Sequence, residues 1–296
     1  MKIATHSGRF HADDVFAVAT LRLVGVLTGL VRTREDAVLA GCDIWVDVGR
    51  ICDPDKGRFD HHQPGGAGKR PDGVPYASFG LVWRQYGTQA AGSPEAAAIV
   101  DAQLVRQIDA DDTGYDIVQS QLPGFQPYTV SKIIGDFNPS WKADPTAADM
   151  DARFNEAVEF ATLLLRREID AANDQLEARV LIREVLKQTS DPRVIVLQRH
   201  TPWKQTIVTE APQALYVVSP VWPAVRQQWS VEVVPKQLDS FEARKPLPEA
   251  WAGKLGRDLA VVSGVKDAVF CHTARFLAIA ESRAGAVELA RRACVA

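Results

Sequence analysis

The sequence predicts an α/β protein, a parallel-sheet domain joined by a long helical connector to a smaller α/β domain. Three observations point there. Short apolar runs alternate with amphipathic segments near the N-terminus, as expected of strands and helices in a parallel sheet. A charged, helix-favouring stretch without Gly or Pro runs from about Ala147 to Lys187, and β-rich runs return after Asp191-Pro192. A length of 296 residues suits two domains, each able to bury its own core. The expected divisions are 1–146 for the first domain, 147–190 for the connector and 191–296 for the second domain.

Lys2 to Thr5 reads as a short buried strand, followed by the loop Ser7-Gly8-Arg9-Phe10. From Asp13 to Val26 the apolar residues Val15, Phe16, Val18, Ala19, Leu21, Leu23 and Val24 recur at helical spacing. Further strands are expected from Gly29 to Thr33 and from Ile44 to Val48. The Gly- and Pro-rich run Pro64 to Gly73 is loop by composition, either a plain surface loop or a mobile lid carrying Lys69 and Arg70. Helices follow from Ser78 to Tyr86 and from Pro94 to about Asp109, where the acidic cluster Asp109-Ala110-Asp111-Asp112 begins. In the connector, Phe154, Val158, Ala161, Leu164 and Leu165 form an apolar stripe. The last third offers strands at Val194–Leu197, Leu215–Ser219, Trp229–Val234, Ala268–Cys271 and Phe276–Ala280, then a closing helix from Ser282.

Composition narrows the function. Hydrophobic content of 46% and charged content of 24% describe an ordinary globular chain, and a net charge of −3 argues against a generally basic nucleic-acid clamp. A local basic cleft remains compatible with that total, because binding follows the local field. Cys42, Cys52, Cys271 and Cys294 show no CxxC pairing, so a zinc ribbon or disulfide framework is not expected. The N-terminus enters a strand at once, which leaves no signal or transit peptide, and no apolar run approaches the ~18–20 residues of a membrane helix. A cytoplasmic protein with no membrane partner is the expectation.

The most informative stretch is Phe59-Asp60-His61-His62-Gln63. Adjacent imidazoles on extended backbone face opposite ways, so His61 can meet a metal while His62 meets substrate. Asp60 can fix the tautomer of a neighbouring ring, as metal-bound histidines require. His6, Asp47 and His61 each sit where an expected strand ends, so a parallel sheet would gather them at one rim. His11 and Asp13 follow closely after His6, and an aspartate at the end of the Pro94 helix could join them. Such a His/Asp set suits manganese, iron, cobalt or zinc better than magnesium. Its surplus of carboxylates points to two ions, because a carboxylate can bridge ions ~3.5–4 Å apart, and two-metal sites cleave phosphoesters and phosphoanhydrides.

These residues in their contexts resemble a known family. Thr5-His6-Ser7-Gly8-Arg9-Phe10-His11-Ala12-Asp13-Asp14, then Asp47-Val48-Gly49 and Phe59-Asp60-His61-His62-Gln63, are similar to the melanocyte-proliferating-gene (MYG) family of the DHH phosphoesterase superfamily. Tyr76-Ala77-Ser78-Phe79-Gly80-Leu81-Val82-Trp83 carries the resemblance onward. So do Pro202-Trp203-Lys204, Arg244 to Gly253 and Val269-Phe270-Cys271-His272, so that it spans essentially the whole chain. It implies His6, His11 and Asp13 in the first metal motif, with His11 replacing the superfamily's first aspartate. It further implies Asp47 as bridging carboxylate, His61 as ligand, His62 facing phosphate and Asp60 supporting them. Asp109 best matches the fourth motif, with Asp112 as runner-up. The activity implied is 3′–5′ exonuclease cleavage of single-stranded RNA or short oligonucleotides. Two divalent ions are implied, manganese first, with magnesium, cobalt or zinc as alternatives, and a homodimer is a further expectation.

Arg9, Lys69, Arg70, Lys204, His272 and Arg275 are candidate substrate contacts, although a charged side chain of this kind is individually more often simply solvated. Trp203 could stack a base or sit in the core. The chain departs from the family after His272, where Ala274 and Ile279 stand in place of small or glycine residues and would obstruct close backbone approach. Two other readings stay open: hydrolysis of a small phosphorylated metabolite or nucleotide, and a non-enzymatic regulatory protein that retains a metal site.

Overall fold

A computed structural model describes residues 1–118, 120, 122–223 and 227–296. The chain divides into two compact units, Met1–Asn173 and Asp174–Ala296. The division falls inside a single helix, so the two halves of that helix pack into different units.

In the first unit, β1 (Lys2–Thr5), α1 (Ala12–Leu23), β2 (Gly29–Arg32), α2 (Asp36–Leu39), β3 (Ile44–Val46), β4 (Cys52–Asp53) and β5 (Arg58–Phe59) form one sheet and its first helices. The strand order is β2-β1-β3-β5-β4. β2, β1, β3 and β5 run parallel, and only the edge strand β4 is antiparallel. Parallel strands are covered by helices, so their central residues are mostly apolar. Ile3, Ala4, Ile44, Val46 and Phe59 are all buried.

α1 is sheltered far more than an amphipathic surface helix. Every residue from Ala12 to Leu21 is buried, Asp13 and Asp14 included. It packs chiefly on α3 (Ser78–Ala91), where Phe16 meets Phe79 with ring centroids 5.4 Å apart. α4 (Pro94–Val100) starts at Ser93, whose side chain accepts from the Ala96 amide, and it continues through a π-helical turn at Asp101–Val105 into α5 (Arg106–Asp112). A single π turn inside an α-helix shifts the facing of everything after it. α6 (Val130–Gly135) follows, then α7 (Ala147–Gln188), an unbroken helix of 42 residues. Phe154 of α7 packs edge-on against Phe10, and the Arg32 guanidinium lies over its ring at 4.7 Å.

The second unit holds a mixed sheet of β6 (Val194–Val196), β7 (Tyr216–Pro220), β8 (Trp229–Val233), β9 (Ala268–Cys271) and β10 (Leu277–Ala280) in the order β6-β7-β8-β10-β9. Only β6 and β7 are parallel. α8 (Lys204–Glu210), α9 (Gly256–Ser263) and α10 (Arg283–Val295) accompany it. One side of its core gathers Tyr216, Val231, Trp251, Leu259 and Leu289, and the other gathers Ile195, Trp203, Ile207 and Val217. Trp203 is therefore core, not a stacking platform. The parallel α/β architecture with a long helix and a smaller α/β unit is observed, and the short elements β4, β5, α2, α6, α8 and α9 add to what the sequence predicts. Among the described residues, no helix is long and apolar enough to cross a membrane.

Candidate metal centre

The site forms because three neighbouring parallel strands end at the same rim. His6 follows β1, Asp47 follows β3, and Asp60-His61-His62 follow β5. Backbone strain then aims the central carboxylate. Asp47 has φ 53°, in the left-handed region that non-glycine residues seldom adopt. Gly49 two residues on has φ 94° against the face of Trp45, where a Cβ would lie 2.7 Å from the indole. A glycine is therefore required for this turn to close.

The buried Asp47 stands among three imidazoles. Its Oδ2 lies 3.3 Å from His6 Nε2, and its Oδ1 lies 3.4 Å from His61 Nε2 and 3.1 Å from His62 Nδ1. His6 Nδ1 is 3.1 Å from the Ser7 carbonyl, which only accepts, so that nitrogen carries the proton and Nε2 is left to face the carboxylates. Nε2 also lies 3.3 Å from Asp14 Oδ2. Asp13 is held by the first turn of α3, its oxygens accepting from the Ser78 amide at 3.1 Å and the Phe79 amide at 2.6 Å. A helix N-terminus supplies free amides and a positive dipole end, which suits a buried carboxylate. Across the site, Asp112 Oδ2 is 3.2 Å from His61 Nε2, while its Oδ1 is 4.0 Å from Nδ1 of the exposed His11.

Three overlapping groups have ligand atoms close enough to share an ion: His6, His11 and Asp47; Asp47, His61 and His62; and Asp13, His61 and Asp112. Two buried atoms at the centre, Asp14 Oδ2 and His61 Nε2, have no hydrogen-bond partner. Buried polar atoms are ordinarily satisfied, so this pair marks where an electropositive group fits. The donor chemistry agrees, since imidazole and carboxylate together suit first-row divalent cations.

The titration behaviour has the same origin. Burial pushes the Asp14 carboxyl up to about 7, against the pull of His6. Burial also raises Asp13 well above the carboxylate range, with repulsion from Asp112 and Asp47 adding to it. Burial acts to raise Asp47 too, but the three imidazoles of His6, His61 and His62 close around it together outweigh that and hold Asp47 well below the usual value. Burial would lower His61, yet Asp112 and Asp47 push it up to about 11. Asp47, opposed by partial burial and helped by Asp60, raises His62 to about 9. The carboxylates thus draw positive charge onto the rings, as a cation-binding pocket does before it is loaded.

Several expectations are corrected. Asp109 is not part of the cluster. Its carboxylate accepts from Arg70 Nη1 at 2.6 Å and from the Gly80 amide at 2.9 Å. Asp112, one turn further along α5, faces His61 and takes the place expected for Asp109. Arg70 is not a lid residue: its guanidinium is buried and also bonds Asp101 at 2.8 Å. Lys69 is exposed, in a bridge with Pro75. His62 does not turn away from His61. The strand ends at Phe59, and Asp60 bends the chain by accepting from the His62 amide and ring Nδ1, both at 2.9 Å. The two rings come to 4.2 Å between centroids. Asp60 also accepts from the Arg50 amide at 2.6 Å, which ties the turn after β3 to the turn after β5.

An open cavity of about 770 Å³ spreads over this rim, lined by His6, His11, Asp47 and His62 and also by Arg9, Arg34 and Arg50. Sequence reading reached Arg9 but missed Arg34, Arg50, Asp14 and Ser78, whose hydroxyl is 3.3 Å from Asp47 Oδ1. A signal for Arg34 was its place just past β2, at the same rim.

Lys204, His272 and Arg275 belong to the second unit. Lys204 opens α8. His272 and Arg275 close the β9–β10 turn, where the Ala274 amide donates to His272 Nδ1 at 3.0 Å and Arg275 has φ 60°. Ile279 is no obstruction in a ligand loop. It lies inside β10 between Ser230 and Phe270, with its backbone committed to the sheet.

Fold and rim together define an α/β protein whose parallel-strand ends present clustered His and Asp groups able to bind metal. The family model named for the MYG1 exonuclease and described as an uncharacterised protein family, UPF0160, matches residues 2–294. The MYG1 exonuclease of Mus musculus is 31% identical over 98% of this chain and 84% of its own length. The Homo sapiens MYG1 exonuclease is 31% identical over 98% and 85%. A MYG1 protein of Chlamydia pneumoniae is 29% identical over 95% and 92%. The chain belongs to the MYG1 family. A pGpG-specific phosphodiesterase, PggH from Vibrio cholerae, superposes over 99% of this chain and 98% of its own with a TM-score of 0.32 and 13% identity, an overlap that sets neither fold nor activity.

Proposed function

We propose that this protein is a metal-dependent phosphodiesterase, a 3′–5′ exonuclease of single-stranded RNA or short oligonucleotides. One observation carries the reading: Asp47 stands between two ligand groups, His6 and His11 on one side and His61 on the other. The mouse and human relatives are named MYG1 exonuclease, which supports an exonuclease reading. His6, His11 and Asp47 would hold one divalent ion. Asp13, Asp47, His61 and Asp112 would hold a second. Two such ions, manganese foremost, supply an activated water and offset charge on both attacking and leaving oxygens.

The chain's own groups do the rest. Asp60 holds the proton on His62 Nδ1, so Nε2 is the ring atom available toward the cavity. With its pKa raised to about 9, the ring is cationic at neutral pH and can donate to a phosphate oxygen. Asp13, held by two α3 amides, keeps its carboxylate oriented whatever occupies the rim. Arg9 lines the same cavity and can meet a phosphate.

The test is a manganese-supplemented assay against labelled single-stranded RNA, DNA and a panel of small phosphoesters. Stepwise mononucleotide release is expected, abolished by chelation and by Asp47→Ala. Near-normal turnover by Asp47→Ala, or no cleavage under any divalent metal, overturns the reading.

A further inference from the structure

The sheet of the second unit treats its two edges differently. At β9, Leu255 bridges Phe270 and the Lys254 carbonyl accepts the Cys271 amide at 3.0 Å, so the chain itself covers that edge. At β6 the outer side is open. The Arg193 carbonyl accepts from the Tyr216 amide and the Leu197 amide donates to the Val218 carbonyl, so Arg193, Ile195 and Leu197 turn their backbone groups to β7. By strand alternation Val194, Val196 and Gln198 turn theirs outward. The Val194 amide donates to the Asp191 carbonyl at 3.1 Å. Among the described residues, the remaining amides and the carbonyls of these three have no hydrogen-bond partner.

A bare edge on a three-residue strand is ordinary. This one lies in a cavity of about 340 Å³, with Val185 of α7 on one side and Arg283, Val287 and Arg291 of α10 on the other. The α10 residues recur every fourth position and form one stripe along the helix. Among the described residues, neither Arg283 nor Arg291 makes an ion pair or a hydrogen bond, whereas Arg193 and Arg292 are both paired. The one carboxylate lining the cavity, Asp191, is already held by Arg193 at 2.9 Å. Unmet strand groups therefore face two unmet positive charges set about an apolar centre.

Spacing identifies the occupant. Arg291 lies near enough to Asp191, just before β6, for its charge to be felt there, so Arg283 falls toward Gln198 and the stripe follows the strand. The two arginines stand ~12 Å apart along the helix axis. On an extended chain the first and fifth residues share a face and lie ~13 Å apart. A peptide with acidic residues at those two positions and an apolar residue midway sets a carboxylate at each guanidinium and its apolar side chain at Val287. Val194 and Val196 pack toward the same α10 side of the sheet, so the added strand continues that face. Nucleic-acid phosphates only accept, and would leave the Val194 and Val196 carbonyls unmet. A second copy paired edge to edge about a two-fold axis would bring two arginine stripes side by side, and like charges across an interface oppose it.

We propose that the β6 edge is a docking groove for an extended acidic segment of a partner protein, which joins the sheet as a sixth strand and places two carboxylates, four residues apart, on Arg283 and Arg291. The groove belongs to the second unit alone and is independent of the chemistry at the metal centre.

The experiment measures fluorescence anisotropy of the full chain with fluorescein-labelled Gly-Thr-Glu-Thr-Val-Thr-Glu-Thr-Gly and with its counterpart carrying Lys for both Glu. The acidic peptide should bind about tenfold more tightly than the lysine peptide. Arg283→Glu/Arg291→Glu should reverse that preference, and Arg283→Gln/Arg291→Gln should abolish it. N-methylation of one alternate set of peptide amides should eliminate binding, while methylation of the other set should leave it within about threefold, because only one set faces β6. Equal affinity for the two peptides, a preference unchanged in the Gln variant, or equal effects of the two methylation patterns overturns the proposal. So does binding of hexauridylate in place of the peptide, lost in the Gln variant, which would make the groove a nucleic-acid surface. Sedimentation of the same samples reads the remaining occupant: a dimer that the acidic peptide fails to dissociate means that a second copy covers the edge, and the proposal falls.

Discussion

At the scale of single residues, the site separates groups that hold a cation from groups that orient its surroundings. His61 Nε2 is buried without a hydrogen-bond partner, whereas His62 is bonded through Nδ1 to Asp60 and half-exposed to the cavity. His61→Ala should therefore lose bound manganese, while His62→Ala should retain it and lose turnover. Metal analysis beside kcat checks this, and equal metal loss in both variants would remove the distinction. Asp109 and Asp112 form a second contrast. Asp109→Ala removes one of the two carboxylates that pair with the buried Arg70 guanidinium and leaves the Gly80 amide without its acceptor; losing one partner of a buried ion pair costs at most about 3–5 kcal/mol, so its chemical-denaturation midpoint should fall. Asp112→Asn should melt close to the parent without metal, since the repulsion of Asp13 that it relieves offsets the attraction for His61 that it loses, but should bind fewer ions. A destabilised Asp112→Asn with full metal content would reverse the assignment.

At the scale of elements, the first turn of α3 is the platform that keeps Asp13 in place. Its amides at Ser78 and Phe79 hold Asp13, and its Gly80 amide holds Asp109. Glycine is needed at 80 because a Cβ would come within 2.8 Å of Asp109 Cγ and 2.9 Å of Arg70 Nη2. Gly80→Ala should push α5 away from α3, and overpacking of this kind costs about 1–3 kcal/mol. Asp112 rides on α5, so second-ion affinity should fall along with Tm. A calorimetric melt and a manganese titration read both, and an unchanged titration would show that α5 is held without this contact.

At the scale of the whole molecule, metal and protons compete for one cluster. Burial pushes Asp14 and Asp109 up to about 7 from the ordinary 3.8, and, against burial, Asp112 and Asp47 push His61 up to about 11 from 6.5. All three pKa values are raised, so in each case the folded state binds more protons than the unfolded chain. The contribution is complete below the unfolded value and lost as pH climbs through the folded one. Asp47, shifted the other way, acts only at acid pH. Metal-free protein should accordingly melt lower at pH 8 than at pH 6. Manganese should raise Tm more at pH 8, because its ligands must shed protons to coordinate. Melting curves in chelator and in manganese at the two pH values decide it, and a metal-free protein equally stable at both would show that these groups titrate as they do in the unfolded chain.

The sequence by itself determined the alternation of strand and helix, the unbroken helix ending at Gln188, and the placement of His6, Asp47 and His61 at strand ends. Those follow from local rules: periodicity, the absence of Gly and Pro, and the tendency of parallel strands to expose their carboxyl ends on one side. It did not determine which aspartate of α5 faces the rim. Asp109 and Asp112 are three residues apart on one helix, and the π turn before them changes their facing in a way no spacing records. Nor did it show that Asp60 folds His62 back beside His61, since alternation of side chains ends where the strand does. Arg70 carried a formal charge in a glycine-rich loop and read as part of either a plain surface loop or a lid; only the tertiary packing brought it two carboxylates and buried it. Local chemistry selected the residue types, and tertiary packing decided which of them were left free to bind.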